Sequence, residues 1–467
     1  MTQPSRRVFV LLAGAALLLV STGPAHADVV VPSDDVVTRV VVREGPSSTT
    51  SEVGSLRPSE QAELTGSVPN WHEIRLANGV PGFVSKRWTR VIATGKPPTD
   101  PQPTGLPTFT LDVVDVGTGL GILVRGADFT LIYDGGSNDD LARGDDNRML
   151  AYVRSVAPAL KTIDHMILSH PHRDHVELLP DFFDEYEVRH VWDSGRVNDI
   201  CGYRAFLTAV RDEAGIEYHN ALQDFGSRGY KFAPKKCYGA SLPEETLQLE
   251  HGSRISAGIP VVLGQGASMT ILHADGANHS SPNENSIVVR LDLGATRVLL
   301  MGDAEAGGRK LPSEAPTTSS IEGNLLTCCA SELSAHVLVV GHHGSMTSSR
   351  RTFLDAVGAS MFLVSAGPTA YGSGKVVLPD DVVITELESR GQVLRTDVDD
   401  AACRTSETKI GPIADGAPGG CTNISISIGA SGPVVDSESP LLSPWNDTAW
   451  PIADIPILPV RQSRWMN

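Results

Sequence analysis

The chain has 467 residues, 41% hydrophobic and 20% charged, which suits more than one soluble folded unit and excludes a disordered or membranous composition. The formal net charge of −17 argues against a broad, sequence-independent grip on nucleic acid, which draws on many Lys and Arg, but allows a local phosphate site. Six cysteines, at 201, 237, 328, 329, 403 and 421, permit up to three disulfides, and no Cys-x-x-Cys spacing points to a cysteine zinc site.

Residues 1–27 read as an export signal. Arg6-Arg7 precede the apolar run Val8 to Val20, and Ala25-His26-Ala27 makes a small-x-small cleavage site before Asp28. The run is short for a membrane span, so cleavage is expected to leave no integral membrane segment. Ser5-Arg6-Arg7-Val8-Phe9 is similar to the twin-arginine motif, which competes with a general secretory signal for the export route. The expected location is periplasmic or extracellular, where disulfides persist. Proximity in sequence favours pairing Cys201 with Cys237 and Cys403 with Cys421, and leaves the adjacent Cys328-Cys329 hard to place.

Residues 35–92 alternate short β-branched runs with turn residues, as a small barrel does. Val41-Val42-Arg43-Glu44-Gly45-Pro46, Trp71 and Gly79-Val80-Pro81-Gly82-Phe83-Val84 resemble a bacterial SH3 domain, with Val41 in place of the usual Asn and Phe83 in place of a second Trp. The resemblance implies a module that binds cell-wall peptides, with a plain spacer as the alternative. Residues 93–108 are rich in proline and form a stiff linker.

The second unit, residues 109–430, opens on Leu111-Asp112-Val113-Val114-Asp115-Val116-Gly117-Thr118-Gly119 and reaches Asp134-Gly135-Gly136 through two further strands. This opening resembles the metallo-β-lactamase-like domain of ComEC-type DNA-uptake competence proteins. The resemblance implies that Asp134 braces the metal-binding loops without touching metal, while a polar strand-end cap is the plain alternative. Arg148 to Leu160 has helical spacing and ends at Pro158.

Met166-Ile167-Leu168 then runs into Ser169-His170-Pro171-His172-Arg173-Asp174-His175. Imidazole and carboxylate are ligands for zinc and its neighbours, and a strand followed by a turn can aim His170 and His172 at one ion while Asp174 and His175 face a second. Two ions a few Å apart activate water and clamp a phosphoryl or carbonyl oxygen, so the pattern predicts hydrolysis. The motif is also similar to that of metallo-β-lactamase-type hydrolases. A helix is expected over Val176 to Tyr186, a strand over Val188 to Trp192 and a helix over Ala205 to Ala214; Tyr218 to Glu250 reads as an irregular insertion.

Further on, His273 ends an apolar strand and is the best candidate for the third histidine of the first ion, ahead of His279, although a backbone-bonded core histidine explains it as well. Asn283-Glu284-Asn285-Ser286, two strands and Gly302-Asp303-Ala304-Glu305 resemble the competence-family order, and Asp303 is expected to bridge the ions. Gly341-His342-His343-Gly344-Ser345-Met346-Thr347 resembles the family's His-His-Gly-Ser-x-Thr-Ser. The resemblance implies His343 as a ligand and His342 beside the site, handling substrate or water, with Ser345 and Thr347 as substrate contacts. Ala366 to Gly372 resembles the family's Tyr-Gly-His-Pro turn, with Ser373 where histidine is common. A helix over Val383 to Arg390 and a strand over Asn423 to Ile428 follow, then a Pro- and Trp-containing tail, residues 431–467, with no periodicity.

The expected fold is α/β, a metallo-β-lactamase αββα sandwich behind an SH3-like barrel. The expected function is an exported hydrolase using two divalent ions, Zn2+ or Mn2+, with Asp174, Asp303 and His342 in the chemistry and a phosphodiester or nucleic acid as substrate. Hydrolysis of a cell-wall or teichoic-acid phosphodiester, a lactam or an ester is the alternative within enzymes. A wall-binding protein without catalysis is the alternative outside them.

Overall fold

The structure, a computed structural model, describes residues 29 to 436 apart from 34–35, 37, 48–49, 59, 69–70, 93–107, 141–143, 145–146, 372–375 and 399–418. The expected export signal, nearly all of the linker, Ser373, Cys403 and the tail beyond 436 lie outside the described residues. The chain divides into two units, residues 1–102 and 103–467.

In the first unit seven strands form one antiparallel sheet. Val29–Pro32, ahead of the expected start at 35, lies between Ala62–Val68 and the edge strand Thr89–Ile92 and pairs with both. Val30, Val40, Val42, Leu56, Ile74 and Val84 fill its small core. Gly82 is required there, because a Cβ would meet Val42 Cγ1 at 2.5 Å and the Arg43 carbonyl at 2.9 Å.

The second unit is built from two sheets. The first runs, in spatial order, Glu217–Asn220, Glu187–Asp193, Thr162–Leu168, Thr130–Gly135, Gly121–Arg125, Phe109–Val113, Ile424–Gly429 and Gly432–Val435. The first four of these are parallel and the rest antiparallel. The second sheet runs Pro260–Gly264, Ala267–His273, Val288–Leu293, Thr296–Leu300, Val337–Val339, Met361–Val364 and Gln392–Arg395, parallel from Thr296–Leu300 onward. Strands such as Thr130–Gly135 are buried on both faces and so read as continuous apolar runs.

Leu111, Ile122, Leu131 and Ile167 of the first sheet pack against Met269, Val289, Leu300 and Val339 of the second. Each such fully buried side chain contributes about 1.5–3 kcal/mol. The helices Arg148–Val156 and Cys201–Asp212 cover the outer face of the first sheet, and Ile321–Cys328, Arg351–Val357 and Asp381–Glu388 cover that of the second. The result is the expected αββα sandwich.

Two expectations change. The helix expected over Val176 to Tyr186 is two short ones, Arg173–Val176 and Phe182–Glu185, because Pro180 lies between them and supplies no N–H to a continuous helix. The insertion expected to be irregular is ordered: Gly226–Phe232 pairs with Glu245–His251, and Lys235–Cys237 with Ala240–Leu242. Its period-two burial, with Tyr230, Phe232, Leu247 and Leu249 inside, is a strand signal. Cys201 pairs with Cys237, while Cys328 and Cys329 pair with each other. Cys421 is disulfide-bonded, and its expected partner Cys403 is not among the described residues.

Candidate metal centre

Three loops meet where parallel strands of both sheets end at their carboxyl termini, the usual ligand-binding edge of such sheets. The strand Thr162–Leu168 delivers Ser169 and His170, and the short helix Arg173–Val176 begins at once, so Asp174 and His175 fall in its first turn. Gly119 is needed beneath this turn: at φ 149° it lies so close that a Cβ would meet the Asp174 carbonyl at 2.4 Å. Thr296–Leu300 delivers Asp303 through Gly302 at φ 53°, where a Cβ would meet Ser169 Cβ at 2.8 Å and the Tyr133 hydroxyl at 3.0 Å. Val337–Val339 delivers His342 and His343, both left-handed at φ 47° and 52°.

The side chains form two groups of ligand atoms, His170, His172 and Asp303, and Asp174, His175 and His343. Asp303 faces both. Its Oδ2 lies 3.6 Å from His170 Nε2, and its Oδ1 lies 3.2 Å from His175 Nε2 and 3.4 Å from His343 Nε2. His170 Nε2 and His172 Nδ1 are 2.9 Å apart, and His343 Nε2 is 3.5 Å from Asp174 Oδ2. All these residues are buried except His172, which is partly so.

The arrangement fits divalent ions. His175 Nε2, His343 Nε2 and Asp303 Oδ1 are buried without a hydrogen-bond partner among the described residues, a cost native proteins avoid unless something else takes up the lone pairs. The opposite ring nitrogens are fixed: His175 Nδ1 by Asp134 Oδ2 at 2.7 Å and His343 Nδ1 by the Ser365 carbonyl at 2.8 Å. Such outer bonds set the tautomer that aims Nε2 at an ion. Asp134 also accepts from Ser169 N at 2.7 Å and Ser169 Oγ at 2.6 Å, tying the loop to its own strand.

Burial lowers the His170 and His172 imidazoles and keeps them neutral. Burial would also lower His175, but Asp303, Asp134 and Asp174 outweigh it and hold the ring well above its usual value. Burial would raise Asp174 and Asp303, yet the surrounding histidines, His175 first, hold both carboxyls low. The centre is thus a buried cluster of ionised carboxylates among imidazoles, a field that attracts cations.

His342 stands beside the second ligand histidine. Its Nε2 is 3.7 Å from Asp303 Oδ2, and its Nδ1 is 2.6 Å from Thr347 Oγ1 and 3.1 Å from Glu305 Oε1. Burial lowers this ring, and Asp303 with Glu305 raise it above its usual value on balance. Ser345 is buried, and its hydroxyl accepts from Arg309 at 3.3 Å and from Thr347 Oγ1 at 3.1 Å. The Thr347 hydroxyl therefore orients His342, and the Ser345 hydroxyl holds that of Thr347.

His273 is not in either group. A register shift between Ile271 and His273 accompanies the strand end, and its Nδ1 lies 2.9 Å from the Ser286 carbonyl, the backbone-bonded alternative. His279 pairs with Asp275 and Glu284. Three neighbours of the centre were not anticipated. Tyr371 stacks on His343 with centroids 5.6 Å apart, Glu305 bonds His342, and Asn283 Nδ2 lies 3.0 Å from Glu305 and 3.4 Å from His342 Nε2. All three stand in strings that carry the family resemblance, Glu305 and Tyr371 close to glycines and Asn283 just after Pro282.

Two ligand groups sharing one carboxylate, at the strand ends of a four-layer sandwich, are the equipment of a metal-dependent hydrolase. The chain belongs to the metallo-beta-lactamase superfamily, whose family model matches residues 114–360, more than half of its length. Recombination protein 2 of Haemophilus influenzae is 26% identical over 261 residues, 56% of this chain and 24% of that protein. Competence protein ComA of Neisseria gonorrhoeae is 30% identical over 138 residues, 29% of this chain and 17% of that protein. The chain thus covers no more than a quarter of these curated relatives. Among solved structures, the metallo-beta-lactamase fold protein YhfI from Bacillus subtilis aligns at 14% identity with TM-score 0.35, over 62% of this chain and 97% of its own. Human tRNase Z, short form, aligns at 13% identity with TM-score 0.30, over 54% and 91%. No helix among the described residues is long and apolar enough to cross a membrane.

Proposed function

We propose that the chain is an exported phosphodiesterase using two divalent ions, zinc or manganese, with DNA or another nucleotide as its substrate class. His170, His172 and Asp303 would hold one ion, and Asp174, His175, His343 and the other Asp303 oxygen the second. The observation that carries this reading is the placement of Asp303 between the two ligand groups. Bound there, paired ions supply a water acidified to near neutrality and positive charge for the non-bridging oxygen of a phosphodiester. His342, with Nδ1 held by Glu305 and Thr347, turns Nε2 to the centre and serves as the proton donor to the leaving oxygen.

The names of the two curated relatives, for recombination and for competence, support a nucleic-acid substrate. The Cys201–Cys237 disulfide and the pattern of residues 1–27 support export. The SH3-like string in the first unit favours docking on cell wall, and makes a wall phosphodiester the second reading. The test is a hydrolysis screen of the metal-loaded protein on bis-p-nitrophenyl phosphate, single-stranded DNA, a β-lactam and a cell-wall polymer. Turnover of the phosphodiesters is expected; turnover of the β-lactam alone overturns the reading.

A further inference from the structure

A third cluster of metal-ligating side chains lies on the first sheet, away from the centre described above. The strands Glu187–Asp193 and Glu217–Asn220 are parallel, with His190 opposite Glu217 and Trp192 opposite His219. Residues two apart on a strand share a face, so Glu217 and His219 stand together on the sheet's edge strand. The neighbouring strand brings His190 onto the same face.

The ligand atoms close into a triangle. His190 Nδ1 is 3.3 Å from His219 Nε2, and each is 3.8 Å from Glu217 Oε2. Tetrahedral zinc with bonds of about 2.0–2.2 Å spaces its ligands about 3.4 Å apart, so small side-chain adjustments admit an ion. The cluster is separate from the centre. His190 pairs with His165, which precedes His170 by roughly 16 Å of extended chain.

The rings are prepared for coordination. His219 Nδ1 lies 3.0 Å from the Ser253 carbonyl, which holds the proton on Nδ1 and leaves the Nε2 lone pair toward the triangle. Burial, the largest influence on each, lowers both rings, His219 to about 4, so both are neutral near pH 7. Trp192 stacks on His219 at 4.0 Å and His165 on His190 at 5.0 Å, and these contacts fix the ring planes. A hydrogen-bonded histidine pair would need no carboxylate at the third corner. Glu217 supplies one and is exposed, which leaves a path from solvent and room for water as a fourth ligand.

We propose that His190, Glu217 and His219 form an additional zinc site that clamps the edge strand Glu217–Asn220 to its neighbour and, through Ser253, to the chain that follows the strand Glu245–His251. The test compares wild type with Glu217→Gln and His190→Gln by equilibrium dialysis against buffered free Zn2+ and elemental analysis. Each variant is expected to lose one zinc per chain while hydrolysis by the loaded centre is unchanged. Glu217 is exposed, so Glu217→Gln tests the ligand without disturbing the core. Trp192 gives a second readout: Cu2+ should quench the emission that Trp192→Phe removes, about tenfold less effectively in Glu217→Gln. Unchanged zinc content in both variants, or loss of every bound zinc, overturns the site.

Discussion

Asp134→Asn isolates the bracing of the centre. Asp134 sits at φ 58°, and Asn tolerates this left-handed backbone better than any other residue with a Cβ except Asp, so the substitution leaves the chain path intact. The carboxylate accepts from Ser169 N, Ser169 Oγ and His175 Nδ1 at 2.6–2.7 Å. Asn offers one acceptor oxygen and one NH2 group in the same place. If its oxygen keeps Ser169 N, the NH2 group meets His175 Nδ1 and pushes that ring toward the tautomer with its proton on Nε2, aimed at the ion. Losing such an outer bond costs 10- to 100-fold in metal affinity or activity, about 1.4–2.8 kcal/mol. Competition with a chromophoric chelator measures the affinity, and hydrolysis at saturating metal measures what remains. Affinity and turnover both within twofold of wild type would refute the bracing role.

Gly302→Ala should destabilise by roughly 2–4 kcal/mol, combining left-handed strain with overpacking against Ser169 and Tyr133, and denaturant midpoints check it. Glu322 is buried under the backbone N–H groups of Ser349 and Arg350, and burial, partly offset by those bonds, lifts its carboxyl from 4.5 to about 7. A carboxyl raised on folding contributes stability below its unfolded value that is lost as pH rises through the folded one. The margin of wild type over Glu322→Gln should therefore be greatest below pH 4.5 and about 3 kcal/mol smaller by pH 8, read from paired urea titrations. Replacing Cys201 and Cys237 together by Ser should cost about 4 kcal/mol, the chain-entropy value for a loop of sequence separation 36, measured under non-reducing conditions.

The centre was legible where chemistry is local. His170 to His175 lie within one turn at a strand end, and Asp303 and the pair His342-His343 each follow a buried strand and a glycine, so spacing brings these out as candidates, while the choice of His343 over His342 came from the family resemblance. His273 ends its strand as the ligands do, but its place outside both ligand groups, with Nδ1 on the Ser286 carbonyl, is not written in local spacing. A layered α/β fold followed from alternating strands and helices, and the αββα order from the family resemblance, but the pairing of Phe109–Val113 with Ile424–Gly429 spans the whole second unit, and no local pattern encodes such register. The hairpin Gly226–Phe232 with Glu245–His251 hid behind the glycines and prolines around it, although its alternation is plain once paired. The triangle of His190, Glu217 and His219 depends on two parallel strands meeting, which their separation of nearly thirty residues conceals.

Asp303 is proposed to join two ion sites into one hydrolytic centre. Elemental analysis and bis-p-nitrophenyl phosphate turnover on the same preparations of wild type and Asp303→Ala test it most directly. The variant should fold, lose at least one bound ion relative to wild type and retain no more than about 1% of the turnover, the scale on which loss of a charge-stabilising group acts. Wild-type metal content and turnover in Asp303→Ala would contradict it.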